Sequence, residues 1–235
     1  MPESPEDENK PDNDKTELEQ KEPDYQEEAL IEMPSSFNPD TVFIMTVLVE
    51  TGLLILSTLW LNVASFDSKA LYLDNPFAPE TLRRTLSYGL CAGLAVSCLN
   101  IILMLFSLNP KNNIYIFRSF RDLIFREMMP LFGGMTLFKI CFLAFISGVS
   151  EEIFFRGVLE AKVGSLNANL CFALAHFPRL YYFPYAAWAG LVGMLMSYLK
   201  VETGNLITPM ICHSVINLIS IWLLTKLSKK RKEEA

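Results

Sequence analysis

The sequence lacks several features that indicate common classes of protein. None of its five cysteines forms a Cys-x-x-Cys pair, so we interpret them as apolar packing residues. No stretch alternates apolar and polar residues as the strands of a membrane barrel do. No long internal repeat, nucleotide-binding loop, haem motif or nucleic-acid patch is evident, and the zinc-protease helix motif His-Glu-x-x-His is absent. These absences argue against a membrane barrel, an inverted-repeat transporter and a nucleic-acid partner.

Acidic residues are concentrated in the first 40 positions. Residues 1–40 contain fourteen Asp and Glu against three Lys, whereas the remaining residues contain twelve acids against seventeen Lys and Arg. A segment with so few apolar clusters cannot bury enough surface to offset its ordering entropy. It also lacks the basic and apolar regions of a signal peptide. We therefore predict a disordered acidic tail over residues 1–40, which accounts for the net charge of −6.

Apolar stretches dominate the rest of the sequence. A helix needs about 20 apolar residues to cross a hydrocarbon core, and the need to pair backbone polar groups there favours helices. The stretches that are long enough, or nearly so, run at about 42–65, 86–108, 130–148, 166–177, 182–199 and 206–227. We predict an all-α, polytopic transmembrane bundle of about six or seven helices, some of them short, over residues 41–228.

A basic run follows the last apolar stretch. It comprises Lys229, Lys230, Arg231 and Lys232 and opens a basic and acidic C-terminal tail over residues 229–235. Basic flanks are typical of the cytoplasmic side of a membrane, and they also contact lipid headgroups. We therefore expect a multi-pass protein of the cell membrane, in contact with the lipid bilayer and with a cytoplasmic C terminus. The sequence does not define an oligomeric state.

An acidic pair and an arginine interrupt the apolar sequence at Glu151-Glu152-x-x-x-Arg156. Inserting an ionisable residue into a membrane span costs about 2.5–3.5 kcal/mol on insertion scales. Such residues therefore indicate a functional or structural role. In a helix, Glu152 and Arg156 share a face while Glu151 points elsewhere. Glu151 then has no adjacent cation and is the better candidate for a general base acting on water. The alternative for this motif is a salt bridge at the membrane edge.

Glu50, in the first span, is interpreted as a helix-packing or cavity-lining residue.

Two histidines, His176 and His213, also lie in apolar helices. His213 and Asn217 are four positions apart, so they share a helix face and can stabilise an oxyanion or hold neighbouring helices together. His176 can orient a water molecule held by Glu151, or it is a hydrogen-bonded core residue. Glu151, His176 and His213 also make a two-His, one-carboxylate set that can hold a divalent metal such as zinc. Nothing in the sequence requires that metal.

Taken together, these motifs resemble those of the type II CAAX prenyl endopeptidases and their prokaryotic relatives, the CAAX protease and bacteriocin-processing (CPBP, or Abi) family. The resemblance covers about residues 145–223. It is carried by three motifs in a fixed order, Glu151-Glu152-x-x-x-Arg156, Phe172-x-x-x-His176 and His213-x-x-x-Asn217.

The resemblance implies an intramembrane endopeptidase that cuts a peptide or a lipidated protein. It implies that Glu151 and His176 activate water and that His213 and Asn217 stabilise the oxyanion, with supporting roles for Glu152 and Arg156. Members of the family are described as metalloproteases, and a metal-free glutamate mechanism is also argued for them.

Two functions outside catalysis stay open at this stage. The 25 positions from Glu151 to His176 look fewer than is usual in the family, which motivates a non-catalytic membrane adaptor or regulator on the same scaffold. Buried charges are also compatible with a proton-coupled transporter.

Overall fold

Seven helices form the part of the chain that the computed structural model describes, which comprises residues 37–63, 78–177 and 179–234. They are α1 (Pro39–Val63), α2 (Pro79–Leu108), α3 (Tyr115–Phe132), α4 (Leu137–Val163), α5 (Ser165–Ala175), α6 (Phe183–Thr203) and α7 (Ile207–Glu234). The all-α architecture and the number of helices predicted from the apolar stretches are confirmed. Residues 1–36 lie outside the described ranges, so disorder of the acidic tail stays a prediction.

Three helices, α1, α2 and α7, are long and apolar enough to cross a membrane. The pair α3 and α4 meets the same criteria when it is taken as one bent span, which gives up to four spans. Large apolar side chains cover the outer faces of these helices, for example Leu48, Leu94 and Trp222. Such faces are suited to lipid. The protein is therefore an integral membrane protein.

The predicted span at 130–148 is broken in the structure. Helix α3 ends at Phe132, α4 begins at Leu137, and the two helices meet at an angle of 111°. The physical reason is local, because Gly133 and Gly134 favour helix poorly. Thr136 then caps α4, since its side chain accepts a hydrogen bond from the Lys139 amide. Apolar composition alone did not reveal this break.

Helix α7 packs closely against both α2 and α4. A Cβ atom added at Gly93 of α2 would lie 2.9 Å from the Cβ of Val215, and one added at Gly148 of α4 would lie 2.8 Å from the backbone nitrogen of Ser214. Only residues without a side chain fit contacts this close, as is common between membrane helices. The close approach brings His213 of α7 against the acidic pair of α4.

The turn between α6 and α7 is buried and polar. Gly204 adopts a φ of 68°, which reverses the chain after α6. Asn205 donates to Thr85 Oγ1 of α2 (3.0 Å) and accepts from the amide of Thr208 (3.2 Å). The side chain of Asn205 therefore caps α7 and ties its start to α2.

The C-terminal basic run belongs to α7. The helix continues to Glu234, and ion pairs join Lys229 to Glu233 (3.9 Å) and Lys230 to Glu234 (3.7 Å) along it. The predicted C-terminal segment 229–235 is therefore a continuation of the last helix over its described residues. Pairs of opposite charge four positions apart favour this continuation.

Candidate active site

A cavity of about 360 Å³ lies inside the bundle, and all seven helices contribute to its wall. Most of the wall is apolar. The polar part includes Glu151 of α4, His176 at the end of α5, and His213 and Asn217 of α7, together with Glu50, Asn100 and Ser147. Four of the six residues that the sequence singled out thus line one cavity, although α4 and α7 are distant in sequence. The catalytic roles expected of them stay predictions.

The other two residues, Glu152 and Arg156, lie behind the cavity wall with side chains that are 0% exposed. Arg156 Nη1 lies 3.1 Å from Glu152 Oε1, the pairing expected from their spacing on a helix. His213 Nδ1 lies 2.7 Å from the same Glu152 oxygen. A carboxylate oxygen only accepts, so His213 donates from Nδ1, and this bond fixes the orientation of its ring. The sequence did not indicate that third partner.

Helix α4 changes geometry within this motif. Residues Ile153–Leu159 form a π-helical turn, and the amide of Glu160 donates to the carbonyl of Phe155, five positions earlier. Such turns occur frequently at functional sites. The guanidinium of Arg156 lies over the ring of Phe172 at 4.2 Å, and its Nη2 donates to Asn169 Oδ1 at 3.3 Å. The arginine is therefore held by α5 as well as by Glu152.

A polar network extends from Arg156 across α6. Asn169 Nδ2 donates to Ser197 Oγ (2.9 Å), and Ser197 Oγ donates to Glu160 Oε2 (2.5 Å). Glu160 also pairs with Lys200 at 3.3 Å. Sequence analysis missed Asn169, Ser197, Glu160 and Lys200. The available signal was their polarity within apolar helices, but their partners lie on other helices.

Glu151 faces the cavity beside His176. Its Oε2 atom lies 3.9 Å from His176 Nε2 and has no hydrogen-bond partner among the described residues. His176 Nδ1 lies 2.9 Å from the carbonyl oxygen of Phe172. A carbonyl oxygen only accepts, so Nδ1 carries a proton, and in the neutral imidazole Nε2 then presents a lone pair toward Glu151. A separation of 3.9 Å is too long for a direct hydrogen bond and suits a bridging water molecule.

Asn217 is held on the cavity wall by α4. Its Nδ2 donates to Ser147 Oγ at 2.8 Å, and Ser147 also lines the cavity. A carboxamide has two N–H bonds, so one donor of Asn217 is used by Ser147 and the second is available to a ligand. His213 and Asn217 share the cavity face of α7, as their spacing predicts, but each is oriented by a residue of α4.

The described residues do not assemble a conventional metal site. Among them, no group of three His, Cys, Asp or Glu side chains is arranged to hold an ion. As they are placed, Glu151, His176 and His213 do not form such a group, so a divalent metal stays an implication of the family resemblance.

Comparison with known proteins identifies the segment that contains this site. Residues 133–219 match the model of a family described as type II CAAX prenyl endopeptidase Rce1-like. The uncharacterized protein YpbD of Bacillus subtilis (strain 168) is 32% identical over 89 residues, which are 38% of this chain and 47% of that protein. The chain thus spans about half the length of this curated relative. The search of solved structures gave no match. The resemblance indicated by the three motifs is confirmed for the matched segment.

Proposed function

We propose, on the premise that residues 133–219 form a domain of the Rce1-like type, that this membrane protein is an endopeptidase that hydrolyses a peptide bond with water activated by Glu151. The matched family is a protease family, which supports peptide hydrolysis at the family level. The observation that carries the finer proposal is the meeting of Glu151, His176, His213 and Asn217 on one cavity.

Glu151 and His176 together suit a nucleophilic water molecule. A carboxylate oxygen and the unprotonated Nε2 of His176 are both acceptors, so a water molecule between them donates one hydrogen to each. Its lone pairs are then directed away from both side chains, toward a carbonyl carbon in the cavity. As the water attacks, Glu151 takes its proton, and the same carboxyl later returns the proton to the leaving amine.

We assign His213 and Asn217 the role of stabilising the negative charge that develops on the carbonyl oxygen. In the imidazolium form, His213 donates to Glu152 from Nδ1 and keeps a second N–H at Nε2. Asn217 keeps its second amide hydrogen. Donors that are fixed before the reaction stabilise an oxyanion without reorganisation. Glu152 and Arg156 act indirectly, because their buried pair fixes the ring of His213.

The cavity walls favour an apolar substrate. Beyond the polar part, the cavity is lined by Leu103, Met104, Phe120, Leu123, Ile124 and Met128. A cavity with such a lining accepts apolar groups. A CAAX-type peptide, a related apolar peptide or a lipidated protein meets this requirement.

We further propose that the protein resides in the cell membrane with the end of α7 in the cytoplasm, as its basic run favours.

The test uses the full chain in lipid nanodiscs and a panel of internally quenched peptides with and without a prenylated cysteine. Wild type is expected to cleave at least one member of the panel, and Glu151→Gln is expected to lower the rate by about 10²-fold or more, because the amide keeps the shape but removes the base. Glu80→Gln, on the exposed start of α2, is the matched control and should not change cleavage.

A Glu151→Gln variant that cleaves at the wild-type rate would overturn the proposal. Failure of wild type to cleave any of these peptides, together with an intact cellular phenotype in Glu151→Gln cells, would favour the non-catalytic adaptor. The short Glu151–His176 spacing that motivated the adaptor does not keep these two side chains apart. Helix α5 follows α4 directly at Gly164, and His176 lies beside Glu151.

A further inference from the structure

We propose that Glu50 is a neutral carboxyl group that positions Glu151 by donating a hydrogen bond to Ser150. This inference deepens the proposed function and rests on it for the role of Glu151. Glu50 belongs to α1, which lies outside the segment matched by the family model, so nothing in the comparison assigns it a role.

Glu50 is directed into the bundle from α1, a helix in which most residues are at least partly exposed. In α1, only Glu50 and Ser57 are buried, and Glu50 is 6% exposed. Glu50 also lines the cavity that contains Glu151. An ionisable side chain in a membrane helix is expensive, so its inward direction and its contact with the site require an explanation.

The contacts of Ser150 support a protonated Glu50. Ser150 Oγ lies 2.5 Å from Glu50 Oε2 and 2.8 Å from the carbonyl oxygen of Ile146. A hydroxyl group has one hydrogen, whereas a carbonyl oxygen and an ionised carboxylate can only accept. If Ser150 donates to Ile146, its contact with Glu50 is a hydrogen bond only when Glu50 is protonated and donates to Ser150. Burial in a medium of low polarity also favours the neutral form.

A neutral Glu50 agrees with the charges around it. Two carboxylates, Glu151 and Glu152, face two cationic groups, Arg156 and the imidazolium form of His213. An ionised Glu50 would add a third negative charge that has no cationic partner in this group. It would also repel the carboxylate of Glu151. The neutral carboxyl avoids that charge and still supplies a hydrogen bond.

The contact acts on Glu151 through the backbone. Ser150 directly precedes Glu151 and is 0% exposed, in the last α-helical residues before the π-turn of α4. The bond from Glu50 therefore ties α1 to the residue next to the proposed base. A shift of about 1 Å at such a group can cost about 10²-fold in rate, so a residue that does not touch the substrate can still control turnover.

Infrared spectroscopy tests the protonation of Glu50 without any substrate. A neutral carboxyl group has a carbonyl stretching band that a carboxylate lacks, and comparison of wild type with Glu50→Gln assigns it. We expect this band to be lost in Glu50→Gln and to be kept in Ser57→Ala, whose serine is buried on the same face of α1 but does not line the cavity. Spectra of wild type and Glu50→Gln that agree in this region would overturn the inference.

Kinetics on a panel peptide test the positioning role. We expect Glu50→Ala to lower kcat by about 10- to 100-fold with little change in KM. Glu50→Gln is expected to retain about tenfold more activity than Glu50→Ala, because an amide N–H can also donate to Ser150. The double variant Glu50→Ala/Ser150→Ala should be no slower than the slower single variant, since both remove one interaction.

Equal losses in Glu50→Gln and Glu50→Ala, or additive losses in the double variant, would overturn the positioning role. If wild type cleaves no peptide of the panel, the proposed function fails, whereas the infrared comparison still decides the state of Glu50. If wild type is active and Glu50→Ala matches it, only the inference about Glu50 fails.

Discussion

The ammonium group of Lys200 donates a hydrogen bond to the backbone carbonyl oxygen of Arg156, 2.6 Å away. A π-turn adds one residue to a helix, and its return to α geometry leaves one carbonyl oxygen without a following amide donor. In α4, the amide of Glu160 bonds to the carbonyl of Phe155, and the next carbonyl, that of Arg156, accepts from Lys200. Lys200 thus stabilises the irregular turn that carries the buried arginine.

Substitution of Lys200 by Met is expected to destabilise the protein. The Arg156 carbonyl would lose its donor and Glu160 its cation, which corresponds to about 1–3 kcal/mol for each buried group left unsatisfied. Thermal unfolding of the detergent-solubilised protein should show a midpoint lowered by roughly 2–4 °C per kcal/mol. Lys226→Met, at an exposed position of α7, is the control. Equal midpoints for the two variants would contradict the assigned role.

Substitution by Gln should affect the adjacent residues Glu151 and Glu152 differently: at Glu152 it should lower stability, and at Glu151 it should abolish cleavage. Glu152→Gln leaves the enclosed Arg156 without its counter-charge, and breaking a buried ion pair in this way costs about 3–5 kcal/mol. Glu151→Gln removes a carboxylate that has no cation bonded to it, so we expect loss of cleavage with little loss of stability. Unfolding midpoints and cleavage rates of both variants check this. A Glu152→Gln protein as stable as wild type would show that the pair is not structural.

A methyl group at Gly148 should disturb both packing and activity. Its Cβ would lie 2.3 Å from Ser214 Oγ and 2.8 Å from the Ser214 backbone nitrogen, so α7 would have to move away from α4 together with His213. Overpacking of this kind costs about 1–3 kcal/mol. Gly52→Ala is the matched control, because nothing lies within 4 Å of the added atom. It should be neutral or slightly stabilising, since alanine favours helix over glycine by about 1 kcal/mol.

The orientation of α7 can be measured with reporter fusions after Glu234. A cytoplasmic end predicts a fluorescent green fluorescent protein fusion and an inactive alkaline phosphatase fusion in a bacterial host. Neutralising Lys229, Lys230, Arg231 and Lys232 together should weaken this preference, because positive flanks set orientation. An active phosphatase fusion of the unaltered chain would reverse the proposed orientation.

Local spacing predicted those parts of the site that depend on one helix. The Glu152–Arg156 pair and the shared face of His213 and Asn217 follow from 3.6 residues per turn, and both are present. The partner of His213 is 61 positions away and that of Asn217 is 70 positions away. No periodicity within a helix contains that information, because it depends on which helix faces touch.

The sequence by itself determined that the chain forms apolar helices and that its few ionisable groups inside them are costly enough to need partners, since hydrocarbon cannot solvate either the backbone or a charge. Only the tertiary structure determined which residues are the partners of these ionisable groups. Glycines at helix contacts bring α7 against α4, Gly133 and Gly134 bend the chain before α4, and α1 delivers Glu50 to Ser150. These outcomes depend on close packing between segments far apart in the chain, which composition does not record.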